Sequence, residues 1–350
     1  MKKKTVFVLH KNGAKSHYYA LDYLARENGY HIKYREFSVL SKFFKGIVQG
    51  RPSLALKQFT NTAFLLSLFF SKNKKIVLGI APFDSKLSGL VRFLKGHQIF
   101  YHTSWTHWDK HFHPKQKKNT PKVFQDWKQF LEIHCTHIFA VTNKSKTEIL
   151  SNYSIDKTKI SVVFHSLHPR FLEHSPLDRI PNSFLYMGRM TPEKGIEELL
   201  DFFSKHPSAT LTLIGDGKQE SLIKEYASKY PNINFKGYIS EKKKLIRAFA
   251  SHQFLILNSK KTPKWEELFG LIIIEAMSQG TLPVSSAHSG PKEVIDKSFG
   301  YLFEEGEITA ALSTLIKGQL FSGEMSEEAR KQSKLYATDQ ISKRWQSILD

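Results

Sequence analysis

Short apolar blocks alternate with helix-patterned stretches in two successive sets, and this rhythm restricts the chain more than any other feature. The first set runs Thr5–His10, Ile76–Ile80, Gln98–Tyr101, His137–Val141 and Ile160–Phe164. Its opening block is closed by Lys11-Asn-Gly-Ala14 and followed by a helical pattern through Glu27, which reads as a buried strand, a glycine turn and a helix. The second set starts at Ser183–Met187 and continues through Leu211–Ile214, Ile233–Phe235, Phe254–Leu257, Leu282–Ser285 and Tyr301–Phe303. Between them, Ser166–Asn182 holds Pro169, Pro176 and Pro181 with little periodicity and reads as a linker. Strands alternating with helices build parallel sheets covered on both faces, so an α/β fold with two Rossmann-like domains is expected. The expected domains are 1–170 and 171–325, with 326–350 as terminal helices able to cross back to the first. Two such domains facing each other leave a cleft between the carboxyl ends of their strands, where ligands bind in this architecture.

Composition narrows the class. The 350 residues suit two domains, and 41% apolar content is ample for their cores, which excludes a disordered or fibrous chain. A single cysteine, Cys135, excludes a disulfide framework or a cysteine-based zinc site and fits a reducing compartment. The longest apolar run, Ala63–Phe70, is about half the ~18 residues of a membrane span. Met1-Lys-Lys-Lys4 leads into a short strand-like run with no small-residue cleavage site, unlike a signal peptide.

The formal charge is +20, and it is not evenly spread. Residues 1–170 hold 29 Lys+Arg against 9 Asp+Glu, whereas 171–350 hold 23 of each. An anionic partner for the first half alone, or plain surface decoration, accounts for that asymmetry.

Three segments of the second half carry chemistry. Gly188-Arg-Met-Thr-Pro-Glu-Lys-Gly195 follows a strand and opens a helix. Glycine permits close approach, the helix N-terminus offers free N–H groups, and Arg189 and Lys194 add two positive charges; the set suits a diphosphate, or is an ordinary strand-to-helix turn. Ile214-Gly-Asp-Gly217 is a second glycine turn, with Gly215 on the same sheet rim. Glu267-Leu-Phe-Gly-Leu-Ile-Ile-Ile-Glu275 places one carboxylate just before a helix and another inside it. Carboxylates there can accept hydrogen bonds from vicinal sugar hydroxyls, while the N–H groups of Phe269, Gly270 and Leu271 can meet a phosphate. The plainer alternatives are a helix cap for Glu267 and a core ion pair for Glu275.

In order and spacing, these motifs resemble the donor-binding half of family 4 retaining glycosyltransferases over roughly residues 180–300. The resemblance implies the two-domain glycosyltransferase-B architecture. It implies that Arg189 and Lys194 hold a nucleotide diphosphate, Glu275 the ribose hydroxyls, and Glu267 the transferred sugar. Neither a cofactor nor a divalent metal is implied; the nucleotide diphosphate sugar, UDP- or GDP-linked, is the donor substrate. Base contacts would be largely backbone, near Gly237-Tyr-Ile239.

The first half resembles the family more loosely. In Tyr101-His-Thr-Ser104, His102 takes the place of the family histidine that faces the donor sugar. Gly13 would lie beside the diphosphate, although Lys15 and His17 replace the family's usual second glycine and small or acidic residue. The loop Asn258–Glu266 is longer and more basic than usual, with Lys260, Lys261 and Lys264. The histidines at 102, 107, 111 and 113 fix no metal geometry, and with Trp105 and Trp108 they read as a partly exposed loop near the acceptor.

Ser38–Lys75 mixes Lys42, Lys45, Arg51, Lys57, Lys72, Lys74 and Lys75 with bulky apolar residues such as Phe59, Phe64 and Phe70. Such stretches lie on an anionic membrane rather than crossing it. The expectation is a retaining hexosyltransferase that is cytoplasmic and peripheral at the inner face of the membrane, acting on a lipid-linked or glycan acceptor. A nucleotide-sugar epimerase on the same fold is the alternative. A nucleic-acid-binding protein fits less well, because no recognition motif accompanies the charge.

Overall fold

The structure, a computed structural model, describes residues 4–11, 15–39, 48, 50, 52–116, 120–173, 175 and 177–350. It divides into two compact units, Met1–Ser166 with Thr338–Asp350, and Leu167–Ala337. The division therefore falls before the proline-bearing segment, not after residue 170. The reason is local: the turn Pro169–Leu172 buries Phe171 against Phe249 of the second unit. Of the C-terminal helices, Gly323–Ser333 packs on Leu271–Ser278 in the second unit, and only the chain from Thr338 onward belongs to the first.

The first unit holds β1 (Lys4–His10), β2 (Tyr30–Glu36), β3 (Lys75–Gly79), β4 (Gln98–Thr103), β5 (His137–Ala140) and β6 (Ile160–Val162). They form one parallel sheet in the order β2-β1-β3-β4-β5-β6, with Val8 opposite Val77 and Val77 opposite Phe100. The apolar alternation of β1 fills the core with Val6 and Val8, and Ile341, Trp345 and Ile348 from the chain's end close it. β2 is the strand that the apolar rhythm does not announce. It is an edge strand with polar residues between Tyr30, Ile32 and Tyr34, so only half of it needs burial. Trp105 and Trp108, expected in a partly exposed loop, are buried instead. Trp108 stands edge-on to Phe83 and Tyr101, and its indole nitrogen donates to the Trp105 carbonyl.

The second unit holds β7 (Ser183–Met187), β8 (Thr210–Ile214), β9 (Ile233–Phe235), β10 (Phe254–Leu257), β11 (Leu282–Ser286) and β12 (Tyr301–Phe303). Its parallel order is β12-β11-β10-β7-β8-β9. The chain runs outward one way from β7 and then the other way from β10, so the order reverses between these two strands. Loops leaving their carboxyl ends diverge there and open a crevice, the switch point at which this fold binds ligands.

Candidate active site

Four of the charged candidates meet at that switch point. A cavity of about 330 Å³ is lined by Arg189 after β7, Ser259 after β10, Lys194, Trp265, Glu267, Gly270, Leu271 and Glu275, among others. A second cavity of about 300 Å³ adjoins it through the shared Met187, Gly188 and Arg189, and reaches Gly215, Tyr238, Ile239 and Lys242. Gly13 lies outside the described residues. His102 is in the first unit, buried near the end of β4.

The two glycine turns pack on each other. A Cβ on Gly215 would lie 1.9 Å from the Gly188 carbonyl oxygen, and the Gly188 amide donates to the Ile214 carbonyl at 3.0 Å. Gly215 is thus needed first for backbone-to-backbone contact, which brings the Arg189 segment down onto the rim. Arg189 itself is exposed, and its backbone carbonyl accepts from the Tyr186 hydroxyl at 2.6 Å.

Lys194 is held from three sides. Its ammonium is 2.6 Å from Glu267 Oε2 and 3.3 Å from Ser259 Oγ, and it stands 4.3 Å from the centre of the Trp265 ring. Charge, hydrogen bond and ring face fix it at the cavity wall, with only 14% of the side chain exposed. Glu267 is held in turn, its amide donating to His288 Nδ1 at 2.9 Å while His288 Nε2 faces Glu305 at 2.8 Å. Glu267 does not cap the following helix. That place belongs to Gly270, whose φ of 77° lets the chain turn into Leu271–Ser278.

The N-terminus of that helix lines the cavity through Gly270, Leu271 and Ile272. Phe269 does not line it: its ring is buried against Tyr336, and Gly290 packs on its backbone. Glu275 sits deeper, among buried Ile273, Ile274, Ala276 and Met277. Burial pushes its carboxyl up to about 7, partly opposed by Lys242, whose ammonium is 4.0 Å away. Glu275 thus both lines the cavity and faces a cation.

Trp265, Ser259, His288 and Lys242 did not emerge from the sequence. Each acts through a non-local contact, and only the basic character of the 258–266 loop hinted at this wall.

The family model described as "Glycosyl transferases group 1" matches residues 170–334. Among curated relatives, the sulfoquinovosyl transferase SQD2 of Arabidopsis thaliana is 28% identical over 49% of this chain and 35% of its own length. The amylovoran biosynthesis glycosyltransferase AmsD of Erwinia amylovora is 27% identical over 49% of each chain. The chain therefore spans no more than about half the length of either relative. Among solved structures, Anabaena HepE in complex with UDP superposes with a TM-score of 0.70 over 99% of both chains at 15% identity. The lipopolysaccharide outer core galactosyltransferase WaaB gives 0.65 over 99% of both at 16%. Identity that low speaks to fold alone, and the fold is the glycosyltransferase-B type, with two parallel six-stranded sheets flanked by helices. Residues 170–334, nearly the whole second unit, thus match the family model of group 1 glycosyl transferases.

Proposed function

We propose that the protein is a retaining glycosyltransferase that moves a hexosyl group from a UDP-sugar to a glycan or lipid-linked acceptor. The observation that carries this reading is the convergence of Arg189, Lys194, Glu267 and Glu275 on one cavity at the switch point, beside a helix N-terminus. UDP is preferred to GDP because HepE was solved with UDP and with UDP-glucose.

Each group then has a task. Arg189, Lys194 and the N–H groups at Gly270 and Leu271 receive the diphosphate. They neutralise the charge that grows as the sugar–phosphate bond breaks. Glu275 accepts hydrogen bonds from ribose hydroxyls, and Glu267 from hydroxyls of the transferred sugar. The donor competes with Glu267 for Lys194, so binding exchanges one anionic partner of the lysine for another and frees Glu267 for the sugar. His102, in the first unit, donates to a substrate hydroxyl. The acceptor hydroxyl attacks on the face the diphosphate leaves and its proton passes to a departing diphosphate oxygen, so no covalent intermediate on the protein is required.

A thermal-shift series with UDP-, GDP- and ADP-sugars tests this reading. A ligand at about 100 times its Kd stabilises by about 2.7 kcal/mol, or roughly 5–10 °C for a unit of this size. The UDP-sugar alone should give it, and no shift with any of the three would sink the donor assignment.

The basic first unit is proposed to meet an anionic membrane through the helix Pro52–Phe69. Its buried face is partly polar: Gln58 and Asn61 bond to Glu36 on β2. An apolar row runs along its outer side, with Leu56, Phe59, Ala63 and Leu66 exposed at helical spacing and Phe70 exposed just past its end, Leu56 at 67% and Phe70 at 91%. The inner face also buries Phe64, Leu65 and Leu68, so the exposed apolar row is in excess of what the core uses and suits a lipid surface. Lys42, Lys45 and Arg51 lie outside the described residues, and no described helix is long and apolar enough to cross a membrane. Vesicles containing anionic lipid should pull down the protein, and Phe59→Ser with Phe70→Ser should weaken that by about tenfold or more. Equal binding to neutral vesicles would overturn the charge argument.

A further inference from the structure

At the carboxyl ends of the first sheet, histidines crowd a buried phenol. The strand order of that unit reverses between β1 and β3, so its switch point lies between His10 and Gly79. Space there is tight: a Cβ on Gly79 would lie 2.4 Å from His10 Cδ2 and 2.8 Å from the Tyr18 hydroxyl oxygen. Tyr18 is 1% exposed, and a buried phenolic hydroxyl requires a hydrogen-bond partner. It has one in His102 Nδ1, 3.2 Å away.

The proton positions follow from this contact. His102 is 6% exposed, and burial together with neighbouring His17 and His10 holds its imidazole well below the usual range, so the ring is neutral at pH 7. A neutral imidazole has one nitrogen that accepts and one that carries the proton. Nδ1 is the hydrogen-bonding partner of the Tyr18 hydroxyl among the described residues, so the phenol donates and Nδ1 accepts. The ring proton is then on Nε2. His102 Nε2 is buried and has no hydrogen-bond partner among the described residues. A buried N–H left in this way points to a ligand oxygen that the described residues do not supply.

We infer that Tyr18 is a positioning residue: its hydroxyl holds His102 in the Nε2–H tautomer, so His102 meets its ligand as a neutral hydrogen-bond donor and not as a base. That this ligand is an oxygen of a substrate rests on the proposed function; the tautomer rests on the first unit alone. The groups around the ring support its neutrality. His10 faces it from β1, and His17 from the turn before Tyr18 lies tilted against His165 at 4.5 Å. His165 meets it edge-on at 5.9 Å from the loop after β6, and Trp345 of the C-terminal segment packs at 5.1 Å with no charge. None of these brings a carboxylate to the ring.

The test is nitrogen NMR of the full chain with labelled histidine, paired with kinetics of Tyr18→Phe, which keeps the ring and removes the hydroxyl. In the wild type, His102 should carry its proton on Nε2 from pH 5.5 to 8. In the variant, the two tautomers should mix. Its kcat should fall about tenfold, with donor KM changed less than about twofold, and a new acidic limb should appear in the pH profile. A merely structural role for Tyr18 would change stability and leave tautomer and pH profile alone. A proton on Nδ1 in the wild type, or an unchanged tautomer in the variant, would overturn the inference; the wild-type spectrum decides even if the variant fails to fold. The expected tautomers without turnover of any nucleotide sugar would uphold Tyr18 and count against the proposed donor.

Discussion

Lys194→Ala should lower kcat/KM for the UDP-sugar by about a thousandfold, close to 4 kcal/mol of lost transition-state stabilisation. Lys194 is the best-constrained cation of the cavity, fixed between Glu267, Ser259 and Trp265. Its charge is worth most when the leaving diphosphate carries most negative charge, so kcat should fall along with the affinity. The variant also leaves Glu267 beside the diphosphate without its cation, and two anions then repel across a partly enclosed site. Lys194→Arg should recover part of the rate, because the wider guanidinium can still pair with Glu267 and stack on Trp265. Steady-state kinetics, with a melting curve to show the fold intact, would decide the matter. Full activity in a folded Lys194→Ala protein would remove Lys194 from the diphosphate site.

This prediction rests on residues the sequence exposes and on others it hides. The β7-to-helix segment was legible because glycine, arginine and lysine follow an apolar block at a spacing that only a strand, turn and helix accommodates. Most strands were legible for the same reason, since strands buried on both faces must be apolar throughout. β2 was not, because an edge strand with one half-exposed face obeys no such demand. Gly215 lines the second cavity and also meets the backbone of Gly188. Permission for close approach reads identically whether the approaching group is a ligand or, as here, the Gly188 carbonyl. Trp265, His288 and Lys242 were hidden because nothing within a few residues of them marks the partner each one meets. A tryptophan in a basic loop becomes a lysine clamp only when β7 and β10 are neighbours, a fact of sheet order and not of local pattern.

Glu275 should make both stability and donor affinity depend on pH, in opposite senses. Its carboxyl is pushed up to about 7 from its ordinary 4.5, because burial among Ile273, Ile274 and Met277 penalises the charge more than Lys242 at 4.0 Å relieves it. With the folded value raised, the native state keeps a proton that the unfolded chain releases between these two pH values. Stability is therefore highest below about pH 4.5 for this group and is lost as pH rises to about 7, by an amount on the order of 3 kcal/mol. Glu275→Gln should abolish that loss, raising Tm by several degrees at pH 8 and leaving it little changed at pH 5. Donor binding runs the other way, since the ribose hydroxyls need a carboxylate acceptor. UDP-sugar affinity should be about five- to tenfold weaker at pH 6 than at pH 8, as the carboxylate fraction falls across the same window. In Glu275→Gln, the affinity should be low and flat over that range. Opposite pH senses for stability and affinity are what an active-site carboxylate would show and a core ion pair would not. Calorimetric titration of wild type and variant at the two pH values separates these roles. A wild-type affinity independent of pH, alongside a stability that still falls as pH rises, would return Glu275 to the core.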